Sequence, residues 1–406
     1  MRTAKPKLLH EACGRTLVDW TWDALADAGH ARVVAVCPDA DGAVAHAFAA
    51  RGATIAVQPE PLGTGDAVAR GLAGLPDDGP VLVTNGDLPC VRGTTLAALV
   101  AAHREAGNHA TLLSGHAHDP TGWGRIQRDA DGVFTGVVEE ADADDEQRSI
   151  SEVNVGPAVC DAARLRAALG QMRPQGPKGE IYFPAALAVI KATGGTIDAV
   201  PLADPDEVSQ VNTQAELAEA ATELRFRLLS EHLEAGVTVV DPASTYIEAG
   251  VTIGAGTIIH PFSVLRRGVT IGVDCEVGPF AHLRAGADLR DSAAIGNFVE
   301  VKQSVLHGGA KAKHLTYLGD AEVGAGANVG AGTITANYDG RKKHRTVIGE
   351  GARIGSNTVL VAPVRVGARA VTGAGAVVLH DVPDGTTVVG VPARPIEARV
   401  KPGGAA

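Results

Sequence analysis

The length, charge and cysteine content of the chain exclude several classes of protein. Its 406 residues suggest two domains, because a domain usually takes roughly 100–200 residues. The formal net charge of −11 argues against binding to nucleic acid or to an anionic membrane. Five dispersed cysteines without a CxxC pair indicate neither a disulfide framework nor a zinc site, and no apolar run reaches the roughly 18 residues that cross a bilayer. We therefore expect a cytoplasmic protein with no nucleic-acid and no membrane partner.

Residues 1–212 alternate between short β-branched runs and Ala-rich stretches. The runs ARVVAVC (31–37), ATIAVQ (53–58) and PVLVTNGD (80–87) have the composition of strands, and helical stretches lie between them. This alternation predicts an α/β domain of β-α-β units on a Rossmann-like, mostly parallel sheet. Ligands of such sheets bind beyond the carboxyl ends of the strands, where the TNGD segment lies.

Residues 213–235 are predicted to form one linker helix. The segment QAELAEAATELRFRLLSEHLEAG has apolar residues at helical spacing, with Thr213 at its start and Gly236 at its end. This helix would join the front domain to the domain that follows.

A six-residue repeat begins after Gly236 and continues to about residue 390. One aliphatic residue per hexad, surrounded by small residues, is typical of a β-helix whose coils have three flat faces. We therefore predict a left-handed parallel β-helix of hexapeptide repeats over residues 236–390, followed by a C-terminal tail, 391–406. The first run of the repeat comprises Ile247, Ile253, Ile259, Leu265, Ile271, Val277, Leu283, Leu289, Ile295 and Val301.

The repeat has two interruptions. The step from Val301 to Val323 is four residues longer than three hexads, and the step from Thr335 to Ile348 is one residue longer than two. Insertions in solenoids usually form loops on one face, and loops often carry function. We therefore expect a loop at each interruption.

Polar residues near these interruptions are unusual for a repeat of Gly, Ala and Val. An isolated charge on a solenoid is usually a solvated surface residue, and we interpret Arg341, Lys342 and Arg345 in this way. Cations and amides that coil stacking brings together instead indicate a phosphorylated ligand, because Arg and Lys bind phosphate by charge and geometry. The residues concerned are Arg284, Lys302, His314, Tyr317, Asn328, Asn337, Tyr338 and Lys343.

His314 has three possible roles. It could be the general base that takes a proton from an amine attacking a thioester, because histidine titrates near neutral pH. It could equally be a hydrogen-bonded structural histidine. A zinc site shared with His260, His282 and His307 is a third interpretation, although their spacing fits no single coil.

Two features of the front domain indicate phosphate chemistry. A Gly-Thr-Gly segment at 63–65 opens a helix, and its free amides could hold a nucleotide. Asp87 follows a predicted buried strand, where a carboxylate can hold magnesium against a phosphate. Lys7 could neutralise charge that develops on that phosphate, or could be an ordinary surface lysine.

Longer motifs give the sequence a specific resemblance. The segments NFVEVK (297–302), HLTYLGDAEVGAGANVGAGTITANYDG (314–340) and LVAPVRVG (360–367) are accompanied, in order, by the shorter front motifs KPKLLH, LGTG, NGD, TGWGRI, VEEADA and EVNVG. Over nearly its whole length the chain resembles the bacterial family of bifunctional N-acetylglucosamine-1-phosphate uridylyltransferases and glucosamine-1-phosphate N-acetyltransferases. The resemblance implies a nucleotidyltransferase-like front domain and an acetyltransferase β-helix.

The resemblance also implies roles for individual residues of the β-helix. His314 would deprotonate the glucosamine nitrogen, Glu300 would help to orient it, and the backbone N–H of Ala331 would face the thioester oxyanion. The sugar phosphate would be held by Arg284, Lys302, Tyr317, Asn328 and Lys343. The acetyl-CoA side would be lined by Asn337, Tyr338, Ser356 and Ala374.

In the front domain the resemblance implies a site for UTP and the sugar, with a magnesium ion. Asp87 and Asn212 would be the magnesium ligands. Family members are homotrimers whose acetyl sites are shared between neighbouring β-helices, and the two steps yield UDP-N-acetylglucosamine for the cell wall. The UTP and sugar contacts would be Lys7, Gln58, Gly63, Thr64, Gly124, Glu139, Asn154 and Asn212.

The first residues of the chain are relevant to the predicted uridylyl transfer. The family begins with a strand and a Gly-rich loop that cradles the triphosphate, and Met1 aligns with the end of that loop. We expect a misplaced start codon, with the strand and loop encoded in frame upstream. The alternatives are an acetyltransferase whose front domain is inactive and a regulatory subunit that only binds sugar nucleotide.

Overall fold

A computed structural model of the chain describes residues 1–30, 32–117, 119–173 and 180–396. The chain divides into two compact units, Met1–Glu223 and Leu224–Ala406. Within the described residues, no helix is long and apolar enough to cross a membrane.

The first unit contains the alternating strands and helices predicted for the front of the chain. Its helices are α1 (Leu17–Asp27), α2 (Ala43–Ala49), α3 (Thr64–Leu72), α4 (Gly93–Ala106), α5 (Asp145–Arg148), α6 (Ala162–Gln171) and α7 (Phe183–Ala192), with 3-10 turns at Lys7–Leu9 and Pro205–Glu207. Its strands are β1 (Glu11–Ala12), β2 (Arg15–Thr16), β3 (Val34–Cys37), β4 (Thr54–Val57), β5 (Pro80–Val83), β6 (Ala110–His116), β7 (Arg125–Arg128), β8 (Phe134–Val138), β9 (Glu152–Asp161) and β10 (Ile197–Pro201).

The main sheet of this unit has the order β10-β6-β9-β7-β8, and β5 pairs with β9. Strands β5, β6 and β10 share one direction, as β-α-β connections require, and β3 pairs in parallel with β4. The long strand β9 lies antiparallel between β5 and β6, because it returns from the hairpin of β7 and β8. The strands of the β-α-β units therefore run in the same direction, whereas β9 at the centre of the sheet pairs antiparallel with its neighbours.

Helix α8 (Gln214–Glu234) occupies the predicted linker segment. Thr213 and Glu216 form a reciprocal cap at its start: the Thr213 side chain accepts from the Glu216 N–H, and the Glu216 carboxylate accepts from the Thr213 N–H. At its end Gly236 adopts a positive φ of 86°. The boundary between the two units falls within this helix.

The second unit is built from short strands that recur at each turn of the chain. In order they are β11 (Thr238–Val239), β12 (Tyr246–Ile247), β13 (Thr252–Ile253), β14 (Ile258–Ile259), β15 (Val264–Leu265), β16 (Thr270–Ile271), β17 (Glu276–Val277), β18 (His282–Leu283), β19 (Asp288–Leu289), β20 (Ala294–Asn297), β21 (Glu300–Lys302), β22 (Val305–Leu306), β23 (Lys311–His314), β24 (Tyr317–Gly319), β25 (Ala321–Val323), β26 (Asn328–Val329), β27 (Ile334–Ala336), β28 (Thr346–Ile348), β29 (Arg353–Ile354), β30 (Val359–Val361), β31 (Val364–Val366), β32 (Val371–Thr372), β33 (Val377–Val378), β34 (Thr387–Val389) and β35 (Arg394–Pro395).

From β11 to β33 every third strand pairs in parallel, which gives three sheets along a left-handed β-helix. At the end of the unit β34 pairs in parallel with β32, and β35 pairs antiparallel with β34. We call the sheet that begins with β11 the first face, that with β12 the second and that with β13 the third. The aliphatic hexad residues fill the interior, and most are less than 4% exposed. The predicted β-helix and the α/β front domain are thus confirmed.

The two interruptions differ from the expectation, and both lie at the corner between the second and third faces. The segment from Val301 to Val323 makes four steps through the buried residues Leu306, Ala312 and Leu318, so two steps are one residue short and no loop forms. The step from Thr335 to Ile348 is a single step with seven extra residues, which form the one loop. Residue spacing alone could not distinguish four short steps from three long ones.

Candidate active sites

A column of residues at the corner between the first and second faces contains His314. Asn297 pairs with His314 across neighbouring strands. The backbone N–H that follows each column residue donates to the carbonyl of the column residue one coil earlier: Leu315 to Asn297, Gly332 to His314, Asn357 to Ala331 and Gly375 to Ser356. We call this set the corner column, and its members are Asn297, His314, Ala331, Ser356 and Ala374.

The corner column brings the predicted base next to residues predicted for the acetyl-CoA side. A whole coil of the chain separates each of these positions from the next in sequence, so only the coil register places them in one line. His314, Ala331 and Ser356 therefore follow one another over successive coils.

The ring of His314 contacts Asn297, while the predicted neighbour Glu300 is engaged elsewhere. Nδ1 of His314 lies 2.8 Å from Oδ1 of Asn297, whereas the Glu300 carboxylate accepts from Arg284 at 2.8 Å. Glu300 belongs to the second face, one strand beyond the corner, and its outward neighbour there is Tyr317. Asn297, which sequence reasoning did not select, is therefore the side chain in contact with His314, and the orienting role of Glu300 stays a prediction.

Two lysines face each other at the other edge of the second face. Nζ of Lys302 is buried without a hydrogen-bond acceptor among the described residues and lies 3.7 Å from Oδ2 of Asp320. Lys302 beside Lys343 lowers the pKa of the Lys343 ammonium, first by direct contact and then by charge repulsion. The two ammonium groups repel each other, and the nearby carboxylate offsets their positive charge only partly. A dianionic phosphate would stabilise this arrangement.

The seven-residue insertion holds Lys343 at this place. Asp339 accepts from the backbone N–H groups of Arg341 and Lys342 and from His344, and these bonds lower the pKa of its carboxyl, with the Lys342 N–H as the largest cause. The loop closes through a bridge between Tyr338 and Lys343. It is therefore an ordered turn that aims Lys343 toward Lys302.

The residues predicted for one acetyl site fall on two edges of the second face. Ala331, Ser356 and Ala374 lie in the corner column, whereas Asn337 and Tyr338 lie at the opposite corner. Asn337 is buried and donates to Asp320, while Tyr338 is 61% exposed. Asn328 lies on the first face, paired with Lys311. A single chain thus does not bring the whole predicted set together.

In the first unit the two predicted magnesium ligands both contact the ammonium group of one lysine. Nζ of Lys7 lies 2.6 Å from Oδ2 of Asp87 and 2.8 Å from Oδ1 of Asn212. The second carboxylate oxygen of Asp87 is buried and has no partner among the described residues. Two side-chain oxygens that converge on one cation, with a third oxygen unsatisfied, fit a magnesium ion, which prefers oxygen ligands.

The Gly-Thr-Gly segment is held rigidly at the start of α3. A Cβ on Gly63 would overlap the carbonyl oxygen of Ile181, and its φ of 95° favours glycine. Gln58 donates to the Gly63 carbonyl at 3.0 Å, and Thr64 accepts from the Phe183 N–H at 3.0 Å. The Gly65 N–H donates to the Ile181 carbonyl at 2.7 Å, so the backbone amides that this helix start leaves for a ligand, among the described residues, include those of Gly63 and Thr64.

Gly124, Glu139 and Asn154 form a third group in this unit. The Asn154 N–H donates to the Gly124 carbonyl at 2.8 Å, and a Cβ on Gly124 would lie 3.4 Å from the Glu139 carboxylate. Burial, followed by the nearby Asp142, raises the pKa of Glu139. A desolvated carboxylate beside bare backbone is suited to accept hydrogen bonds from a sugar.

The raised pKa of Glu139 predicts a pH-dependent cost to stability. The carboxyl of Glu139 is harder to ionise in the folded than in the unfolded chain. At low pH, where it is protonated in both states, this difference costs no stability. The cost grows as the pH rises above the ordinary pKa of a glutamate, about 4.3. We expect Glu139→Gln to raise the melting temperature at pH 7 and to have little effect near pH 4. Thermal denaturation at both pH values tests this, and an equal change at both would contradict it.

Comparison with known proteins agrees with this geometry. Residues 1–177 match the MobA-like NTP transferase domain, and residues 345–380 match the bacterial transferase hexapeptide repeat. The chain is 43% identical to the bifunctional protein GlmU of Thermobifida fusca, over 99% of this chain and 91% of that relative. It belongs to the GlmU family of bifunctional proteins. Its GlmU relatives from Mycolicibacterium gilvum and Mycobacterium tuberculosis are 40% and 39% identical, each over 99% of this chain and 90% of the relative.

Two side chains of this GlmU family member were missed by sequence reasoning. Asn297 contacts His314, and Asp320 contacts both Lys302 and Asn337. Both lie inside the quoted motifs, and each precedes or follows its partner by about one coil. A search for pairs of polar residues separated by one coil would have selected them.

Proposed function

We propose that the chain transfers an acetyl group from acetyl-CoA to glucosamine-1-phosphate, and then a uridylyl group from UTP to the resulting N-acetylglucosamine-1-phosphate. The products would be UDP-N-acetylglucosamine and pyrophosphate. We assign uridylyl transfer to residues 1–212, the connection to 213–235 and acetyl transfer to 236–390. The observation that carries the proposal is the corner column, in which His314 stands next to the predicted thioester side.

The acetyl step uses one base and one oxyanion site. The sugar amine attacks the thioester carbon, and Nε2 of His314 takes the proton that the nitrogen loses. The carbonyl oxygen becomes an oxyanion that the Ala331 N–H would face, and CoA leaves as its thiolate when the carbonyl reforms. Ser356 and Ala374 would line the path of CoA along the same corner.

The sugar phosphate is assigned to the second face. Lys302 and Lys343 would hold the phosphate between their ammonium groups, with Arg284 one coil earlier on the same edge. This is supported by the lowered pKa of Lys343 and by the buried Nζ of Lys302, which has no hydrogen-bond acceptor in the described part of the chain. Tyr317 lies outward on β24, between these cations and His314.

Uridylyl transfer is assigned to the carboxyl ends of the strands in the first unit. Asp87 and Asn212 would hold magnesium, whose positive charge would offset the negative charge of the phosphates. Lys7 would then turn from these two oxygens toward the phosphates, and the amides at Gly63 and Thr64 would receive the nucleotide. Gly124, Glu139 and Asn154 would bind the sugar.

The acceptor is tested by substrate choice. We expect turnover of acetyl-CoA with glucosamine-1-phosphate and little with glucosamine-6-phosphate, and release of pyrophosphate from UTP only with N-acetylglucosamine-1-phosphate. Acetyl transfer without any pyrophosphate release would favour the alternative of an acetyltransferase with an inactive front domain. The zinc alternative is not supported, because His260, His282 and His307 lie in or directly beside strands of three different faces.

We further propose a cytoplasmic homotrimer in which neighbouring β-helices complete each acetyl site. The division of the predicted acetyl-CoA residues between two corners supports this. So does an exposed ladder beside the corner column, in which Phe262, Phe280 and Phe298 stack at 4.8 and 5.1 Å, are 45–54% exposed and continue to Leu315. Exposed aromatic surface of this kind is typical of a protein interface.

Light scattering tests the trimer. We expect a particle about three times the 41.4 kDa mass of the chain, and a smaller one for Phe280→Asp, which removes the middle ring of the ladder. Aspartate tolerates the positive φ of this position better than phenylalanine, so the backbone is not strained. Val133→Ser, at an exposed apolar residue of the other unit, is the control and should keep the wild-type mass. A wild-type monomer with full acetyl transfer would contradict the trimer.

A further inference from the structure

Asn297 stands one coil before His314 in the corner column and has no part in the chemistry proposed so far. Its side-chain Oδ1 lies 2.8 Å from Nδ1 of His314. A carbonyl oxygen only accepts, so Nδ1 must carry the ring hydrogen in this arrangement. We propose that Asn297 is a positioning residue, which fixes His314 in the tautomer whose Nε2 is free to accept the proton of the attacking amine. This inference rests on acetyl transfer with His314 as the base.

The backbone around the pair is fixed so that this contact can form. A Cβ on Gly296 would overlap the carbonyl oxygen of Lys313, so only glycine lets the two coils approach this closely. The Leu315 N–H donates to the Asn297 carbonyl at 3.0 Å, and the Thr316 hydroxyl donates to the His314 carbonyl at 2.7 Å. Both partners are therefore anchored by their main chains, and only side-chain rotation remains to be fixed by the amide.

A neutral amide orients the ring without adding charge beside it. The charged groups around the ring are Lys311 and Lys313 on its own strand, Glu276 on β17, which lies two strands away on the same face, and Glu300 on β21 of the second face. Lys313 pairs with Glu276 at 2.7 Å, and Glu300 pairs with Arg284. With these acids engaged, a carboxylate at position 297 would be a new, unpaired negative charge against Nδ1. It would favour the imidazolium form, which cannot act as a base.

Two substitutions of Asn297 distinguish a positioning role from a purely structural one. For Asn297→Ala we expect kcat of acetyl transfer to fall by about 10–100-fold, with KM for both substrates changed less than about twofold, because a base that is wrongly oriented still lies at a formed binding site. For Asn297→Asp we expect the acid side of the pH–rate profile to move to higher pH by about one unit. Asn108→Ala, at an asparagine of the first unit, is the matched control and should leave acetyl transfer unchanged.

A spectroscopic measurement keeps the test independent of folding defects. In the wild-type chain labelled with 15N-histidine, we expect the His314 ring, assigned with His314→Ala, to carry its hydrogen on Nδ1. Observation of the Nε2-protonated tautomer, or a wild-type kcat and pH profile for Asn297→Ala, would overturn the proposal. If instead His314→Ala retained acetyl transfer, the proposed function would fail whatever the tautomer, so the two failures can be distinguished.

Discussion

His314→Ala is expected to lower acetyl transfer by about 10²–10⁴-fold, because the sugar amine then has no side chain to take its proton. The reaction must discard this proton as the nitrogen bonds to the thioester carbon, and His314 is the imidazole in the corner column beside Ala331. An acetyl-CoA consumption assay with saturating glucosamine-1-phosphate measures the effect. The KM for the sugar phosphate should change little, because the cations that would hold the phosphate lie at the other edge of the second face.

The second activity provides an internal control for this variant. Pyrophosphate release from UTP, measured with preformed N-acetylglucosamine-1-phosphate, should match the wild type, because the residues assigned to it belong to the other compact unit. His380→Ala, at an exposed histidine of the same β-helix, should leave both activities intact. Near-full acetyl transfer by His314→Ala with an unchanged pH profile would make His314 a structural histidine.

Asp87→Ala is expected to lower uridylyl transfer by at least about 10²-fold, because it removes both a predicted magnesium ligand and the ion-pair partner of Lys7. The lost activity should recover only partly at high magnesium. Direct binding of Mn²⁺ followed by electron paramagnetic resonance gives a readout that does not depend on turnover. It should weaken in the same variant.

Acetyl transfer by Asp87→Ala should be unchanged, which would show that the β-helix unit is folded, and an unchanged circular dichroism spectrum would show the same for the first unit. Asp131→Ala is the matched control, because it removes an exposed aspartate of the same unit and should preserve metal binding and uridylyl transfer. Undiminished Mn²⁺ binding by Asp87→Ala would exclude Asp87 as a ligand. The pairing of Asp87 with Lys7 would then be its main role.

The fold class and most of the candidate residues could be predicted from the sequence. Burial of one aliphatic residue per hexad is a local, periodic requirement, so the residues from Ile247 to Val301 predict the β-helix directly. Likewise, the cap at Thr213 depends on a neighbour within a few positions. The polar residues near the interruptions already included His314 and Lys302, and the resemblance of the long motifs added their specific roles.

Which of these residues meet could not be predicted without the folded chain. Contacts between coils depend on strand register, and register changed where two steps lost one residue and a third gained seven. For this reason Asn297, not Glu300, reaches His314, and Lys343 reaches Lys302 from a loop that follows two coils later. Residues one coil apart in sequence are distant along an extended chain. They come into contact only because parallel strands stack each coil on the one before it.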